Sequence, residues 1–222
     1  MENTSSKLIL RLIFVIIILG CIFIFKVLNG NKKVNTSKSN YSKTEIINLI
    51  KSEDNKSNYE VEYTTNNINF KKKYFNKKMK FEASNNESNI LSYLDFEKNT
   101  NTLIDEKNKI AIIQKLGSTN KNYIPNDLLN IIEDPNCIIE KEEKVLNRNA
   151  VVLDYNGTEE KQNYNMKNWI DTETGFLLQT IVKANNTEQK IIYNLKLNSV
   201  TEEDVSVPNL SQYKVTDITS KR

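Results

Sequence analysis

The chain contains no histidine. That removes imidazole acid–base catalysis, the Ser–His and Cys–His nucleophile pairs, and the histidine ligand sets of most zinc hydrolases. Glycine is nearly as scarce, with five in 222 residues. None of them forms a glycine-rich phosphate loop, so the Walker and dinucleotide-binding patterns are both missing. Arginine occurs only at Arg11, Arg148 and Arg222, so bidentate recognition of phosphates or base edges is poorly supplied. The two cysteines are Cys21 and Cys137. Cys21 lies in an apolar run, and an internal disulfide framework is excluded if that run is lipidated or membrane-embedded. Cys137 precedes Ile138 and Ile139 and is expected to pack as a small buried hydrophobe, with an intermolecular disulfide as the alternative. The expectation is a protein without a catalytic set, a metal site or a cofactor.

Apolar residues make up 38% of the chain, enough for a core. The charges are balanced, 31 basic against 28 acidic. A net charge of +3 gives no reason to expect nucleic acid as a partner.

The one strongly apolar run follows Lys7 and Arg11. Leu12 to Phe25 carries no charge over fourteen residues. At ~1.5 Å per residue a helix of that length falls short of a bilayer core of ~30 Å and suits a signal segment. Extended from Leu8 to Leu28, with Arg11 and Lys26 snorkelling, it reaches spanning length. Ile18-Leu19-Gly20-Cys21 looks like a lipobox, although Ile22 to Phe25 is more apolar than the usual mature start. Two readings therefore stand for Cys21, a lipidation site or one residue of an uncleaved span. Both place the remaining chain on the extracytoplasmic face of the cytoplasmic membrane, anchored to it. The expected division is an anchor over 1–25, a flexible tether over 26–40 and one domain over 41–222.

Within that domain, Ser42 and Glu45 match a capping box and predict an amphipathic helix from about Lys43 to Ser52. The period then switches to two. Tyr59, Val61 and Tyr63 alternate with charged or polar residues, and similar stretches recur to Asn198. Asn66-Asn67, Leu146 to Asn149, Thr172 to Gly175 and Asn185-Asn186 supply turns. Pro125 opens a second short helix through Leu128 and Ile132, ended by Asp134-Pro135. These features predict an α+β fold. Its core is a strongly curved antiparallel β meander, a half-barrel of about ten strands with short helices on the concave side, preceded by the N-terminal membrane anchor.

That order of elements resembles the LolA/LolB/RseB superfamily. The segment Trp169-Ile170-Asp171-Thr172-Glu173-Thr174-Gly175-Phe176-Leu177-Leu178 is similar to the "WID…TG" hairpin of such proteins, and Tyr59 to Tyr63 resembles their first strand. The resemblance covers about Tyr41 to Val215. Composition and size are closest to the GerS family of spore germination lipoproteins. That resemblance implies a non-enzymatic accessory protein. Its partner would be a cortex N-acetylmuramoyl-L-alanine amidase of the CwlD type, needed for cortex degradation, and its membrane could then be that of the forespore. The wider superfamily implies the alternative, a carrier or sensor holding a lipid acyl chain on the concave face. Edge strands of such a sheet can exchange between protomers, so a homodimer is allowed.

Three surface features carry further expectations. Lys71, Lys72, Lys73, Lys77 and Lys78 are interleaved with Tyr74 and Phe75. They read either as a charged hairpin that keeps a sheet edge soluble or as a patch for an anionic surface or partner. Glu140 and Glu142, placed on one strand face by alternation, have the spacing of a glycosidase pair but sit beside Lys141 as a solvated face would. Glu202 to Asp204 reads as a turn. Trp169, Tyr164, Phe176 and Tyr193 are expected in the core, where Phe70, Phe81 and Phe96 would also decide whether an apolar cavity is open or filled.

Overall fold

A chain this poor in glycine needs another residue for its tight turns, and asparagine fills the role. In the computed structural model, which describes residues 40–51, 57–116, 126–159 and 162–220, four two-residue hairpins have both central residues at positive φ. These are Asn66-Asn67, Asn76-Lys77, Leu146-Asn147 and Asn185-Asn186. Positive φ at both positions gives the turn whose twist matches antiparallel strands, and asparagine tolerates that region better than other non-glycine residues. The residues before 40 lie outside the described part, so the anchor, the tether and Cys21 are not seen.

Helix α1 (Lys43–Lys51) starts as its sequence predicts. The Glu45 amide donates to Ser42 Oγ at 3.3 Å, and the Ser42 amide donates to Glu45 Oε2 at 2.7 Å. There follow β1 (Asn58–Thr65), β2 (Ile68–Phe75), β3 (Lys78–Ser84), β4 (Asn89–Asp95), β5 (Thr100–Asp105) and β6 (Ile110–Lys115) as an antiparallel meander. After α2 (Asn126–Glu133) come β7 (Cys137–Val145), β8 (Arg148–Glu159), β9 (Gln162–Asp171), β10 (Leu177–Ala184) and β11 (Thr187–Ile192). The chain closes with β12 (Asn194–Leu197), the one-turn helix α3 (Glu202–Val205) and β13 (Lys214–Asp217).

The meander is not one sheet. Eight strands form the order β12-β1-β2-β3-β4-β5-β6-β13 and five form β11-β10-β9-β8-β7. The division falls within one stretch of chain. Up to Ile192 it pairs with β10, and from Asn194 it pairs with β1. At the junction the Tyr193 amide still donates to Leu178 O at 3.0 Å. Among the described residues the strands number thirteen against the expected ten, they form two sheets and no closed barrel, and β13 adds to β6 in parallel. Glu202 to Asp204 is α3 rather than a turn, because Thr201 and Asp204 form a reciprocal capping box.

The side-chain period sorts the core. On the five-stranded sheet Val151, Leu153, Tyr155, Tyr164, Met166 and Ile170 share one face and meet Ile46 and Ile50 of α1 and Leu128, Ile131 and Ile132 of α2. Cys137 is buried in this cluster, and burial pushes its thiol up to about 12. That is the packed hydrophobe the sequence suggests, and the thiol is closed to a second chain in the native fold. Alternation along Thr187–Leu197 carries the helix-bearing face onto the eight-stranded sheet. There the inner face includes Tyr59, Val61, Tyr63, Phe70, Tyr74, Met79 and Phe81.

Candidate binding site

The inner face of the eight-stranded sheet begins where α1 ends. Tyr59, Tyr74, Met79 and Phe176 form one buried cluster, with Val61, Leu94, Phe96, Leu195 and Leu197 packed on it. Tyr59 stacks on Tyr74 at 5.3 Å between ring centroids and meets Phe176 edge-on at 4.7 Å. A second aromatic chain runs across the strands. Tyr193 lies 5.0 Å from Tyr63, Tyr63 stacks on Phe70 at 4.9 Å, and Phe70 lies 5.9 Å from Phe81. Phe70 is only 5% exposed, while Phe81 and Phe96 are half-buried. The face is thus paved largely by its own side chains. Lys72 shares it and holds its Nζ 5.1 Å above the Tyr59 ring, within range of a cation–π attraction.

The other lysines of the run point the opposite way. Lys71 pairs with Glu62, and with Glu60 at 3.5 Å. Lys73 reaches Asp204 at 2.5 Å and Glu60 at 3.7 Å, and Lys78 reaches Glu202 at 2.7 Å. Lys77, in the turn, meets Glu97 at 3.3 Å. Strand alternation separates Lys72 from its neighbours, while the ammonium groups of Lys71, Lys73, Lys77 and Lys78 face carboxylates. Glu60, 7% exposed, is the hub, with Lys196 also donating to it at 2.7 Å. Burial alone would raise the Glu60 carboxyl, but Lys196, Lys71 and Lys73 outweigh it and hold it below the usual range. The Lys73 hydrogen bond, together with Thr201, holds Asp204 well below the usual range, as bonds to the charged form do.

Linkage converts these shifts into a pH profile. A carboxylate depressed in the fold adds stability that is present above its unfolded pKa of about 4 and lost as pH falls through the folded value. Glu60, Glu106, Glu202, Asp204 and Asp217 all lie below their ordinary values. No histidine exists to titrate between pH 5 and 8. Urea midpoints should therefore be flat from about pH 5 to pH 8 and fall steadily below about pH 4. A sloping plateau would contradict this assignment.

The carboxylate pair considered for hydrolysis is not assembled. A bulge between Ile139 and Glu142 breaks the alternation of β7. Glu142 opposes Val151, on the helix-bearing face, whereas Glu140 accepts from Lys167 at 2.9 and 3.0 Å beside Asp154, on the outer face. Glu143 accepts from Trp169 Nε1 at 2.9 Å. Among the described residues no group of three Asp, Glu or Cys side chains could hold a metal ion, and no helix is long and apolar enough to cross a membrane.

The hairpin singled out by its sequence is a structural corner. Asp171, 2% exposed at its side chain, accepts from Arg148 Nε at 3.0 Å and Nη2 at 2.6 Å, and from the Thr174 hydroxyl. Gly175 has φ of +77° and lies directly against the Leu49 carbonyl of α1. Tyr164, Trp169 and Phe176 are buried as expected, and Tyr193 is half-buried.

No family model matches the chain, and no curated protein matches it either. Solved structures do. An uncharacterised conserved protein from Thermus thermophilus superposes with a TM-score of 0.52 at 10% identity, over 78% of this chain and 98% of its own. That similarity establishes a shared fold. A LolA superfamily protein from Nitrosomonas europaea aligns at 9% identity over 73% of this chain and 97% of its own, with a TM-score of 0.28, too low to bear on the fold.

Proposed function

We propose that the chain is a membrane-tethered, non-enzymatic binding protein of the LolA type. We propose further that it works as a GerS-like accessory to a cortex N-acetylmuramoyl-L-alanine amidase outside the membrane. The observation that carries the accessory reading is the paved inner face. A carrier needs an open apolar cavity, and here Tyr59, Phe70, Tyr74 and Met79 are each at most 8% exposed. Two features support binding over catalysis. Imidazole is absent, and Glu60, Glu140, Glu143 and Asp171 are each engaged by Lys, Arg or Trp donors. The anchor supporting this reading is the apolar run with Cys21, and the lysine hairpin remains the proposed patch for an anionic surface or partner.

The test is to solubilise the full chain in detergent with a CwlD-type amidase. The expected result is a co-eluting complex and raised amidase activity on cortex peptidoglycan. Separate elution with unchanged activity would end the accessory reading. The second reading, a carrier or sensor of an acyl chain, is favoured by one observation. Helices α1 and α2 pack on the five-stranded sheet, while Val61, Phe81 and Leu94 on the neighbouring face stay half-buried. Lipid retained through native mass spectrometry would favour it.

A further inference from the structure

The outer face of the eight-stranded sheet is crossed by the segment from Val200 to Ile218. Its hold is concentrated at two ends. At the first, Asn58 Nδ2 donates to Val200 O at 2.7 Å and the Val200 amide donates to Asn58 Oδ1 at 2.9 Å. Next to it, α3 presents Asp204 to Lys73 at 2.5 Å and Glu202 to Lys78 at 2.7 Å. At the second end, Leu210 and Tyr213 cover Leu91, Tyr93, Ile104 and Ala111. The Tyr213 hydroxyl donates to Glu106 at 2.8 Å, and Lys109 Nζ sits 5.1 Å from the ring. At the first end α3 also buries Val205, 2% exposed, and beside it residues from Thr201 to Pro208 line an open pocket of about 440 Å³ together with Lys80 and Tyr93.

The strand that finishes the segment buries no side chain. All four residues of β13 are exposed. It is held to β6 by main-chain bonds that include Lys214 N to Lys109 O and Ile218 N to Ile113 O, each 2.8 Å. Parallel pairing of so few residues is a weak hold. What it covers is the edge of β6, a row of hydrogen-bonding groups of the kind that accepts an added strand.

We propose that this segment is an electrostatic latch. When the Lys73–Asp204 and Lys78–Glu202 pairs are lost or screened, it lifts as a unit from a sheet that stays folded. The lifting uncovers the β6 edge and the Leu91, Tyr93, Ile104 and Ala111 patch. The charges facing Asp204 are Glu202 and Glu203 of its own helix, Lys73 with the shared Glu60, and Lys80 with Glu82 at 3.7 Å. These groups are partly solvated, so added salt weakens their attraction.

Hydrogen exchange of the full chain in detergent tests this, at about 20 mM and about 500 mM salt, where the Debye length falls several-fold. Asp204→Asn removes the carboxylate charge. Lys73→Met removes the partner and leaves the cap of α3 intact. High salt, and either variant at low salt, should speed exchange about threefold or more in the β6 and Leu210–Asp217 peptides, the size of effect a partly exposed ion pair allows. Peptides of β8 and β9 should be unchanged. Unchanged exchange in the segment overturns the latch, as does acceleration of β8 and β9 in step with it. An effect of Asp204→Asn without one of Lys73→Met also overturns it, because it assigns the hold to the cap.

Discussion

Gly175→Ala should cost about 3–5 kcal/mol and detach α1 from the five-stranded sheet. Two penalties combine. At φ of +77° a Cβ costs about 1–2 kcal/mol by clash with its own carbonyl. That Cβ would also stand 1.6 Å from Leu49 O and 2.3 Å from Leu49 C, both main-chain atoms of α1 that have no rotamer to change. The helix must therefore move, taking with it Ile46 and Ile50, which are 0% and 1% exposed. For a domain with a total stability of about 5–15 kcal/mol this is a large fraction. The midpoint of urea unfolding reads the total loss, and exchange of the Ile46 to Ile50 amides reads the helix. Gly175→Asn separates the causes. Asparagine accepts the left-handed backbone but keeps the Cβ, so it should be nearly as damaging as alanine. A well-tolerated asparagine would mean that the close approach of α1 is unimportant.

The Arg148–Asp171 pair makes the second large effect. Asp171→Ala should destabilise by about 3 kcal/mol, because it strips a half-buried guanidinium of both its short contacts. The residual acceptor is Glu173, at 3.3 Å and exposed, which recovers little. The change also removes an acceptor of the buried Thr174 hydroxyl, which helps set the turn that carries Gly175. Replacing both partners with apolar residues, as in Arg148→Met with Asp171→Leu, should cost clearly less than the sum of the single changes. A double-mutant cycle measured by urea unfolding decides it, and strict additivity would show that the two side chains do not depend on one another.

Local chemistry was the part of the fold most legible in the sequence. The Ser42–Glu45 capping box, the period of two from Tyr59 onward and the asparagine turns are all properties of a few neighbouring residues, and each is found where the pattern puts it. What depended on distant partners was not legible. Nothing in Lys214-Val215-Thr216-Asp217 marks a strand, since its residues are exposed and its hydrogen bonds come from β6. The bulge that puts Glu140 and Glu142 on opposite faces follows from the fit of β7 to β8 and leaves no trace in composition. Lys73 and Lys78 read as a charged run because Asp204 and Glu202, which face them, lie far along the chain. The Trp169 to Gly175 hairpin was noticed for its sequence, and its role as the seat of α1 needed the packing around Leu49.

The single strand stretch through Tyr193 ties the history of the two sheets together. Strands β1 to β6 and β7 to β11 are each joined mostly by neighbouring hairpins, which close short loops and form quickly. The bridge between them is the pairing of Tyr59 with Leu197 and of Val61 with Leu195, contacts between the two ends of the described domain. Loop-closure entropy makes such a contact late. Until it forms, β1 has an open edge, and the Tyr59, Tyr74 and Phe176 cluster, drawn from both halves, is incomplete. The junction is therefore expected to form after the hairpins of either half, joining them into one cooperative unit. A substitution at Leu195 or Leu197 should slow that union more than it disturbs either half.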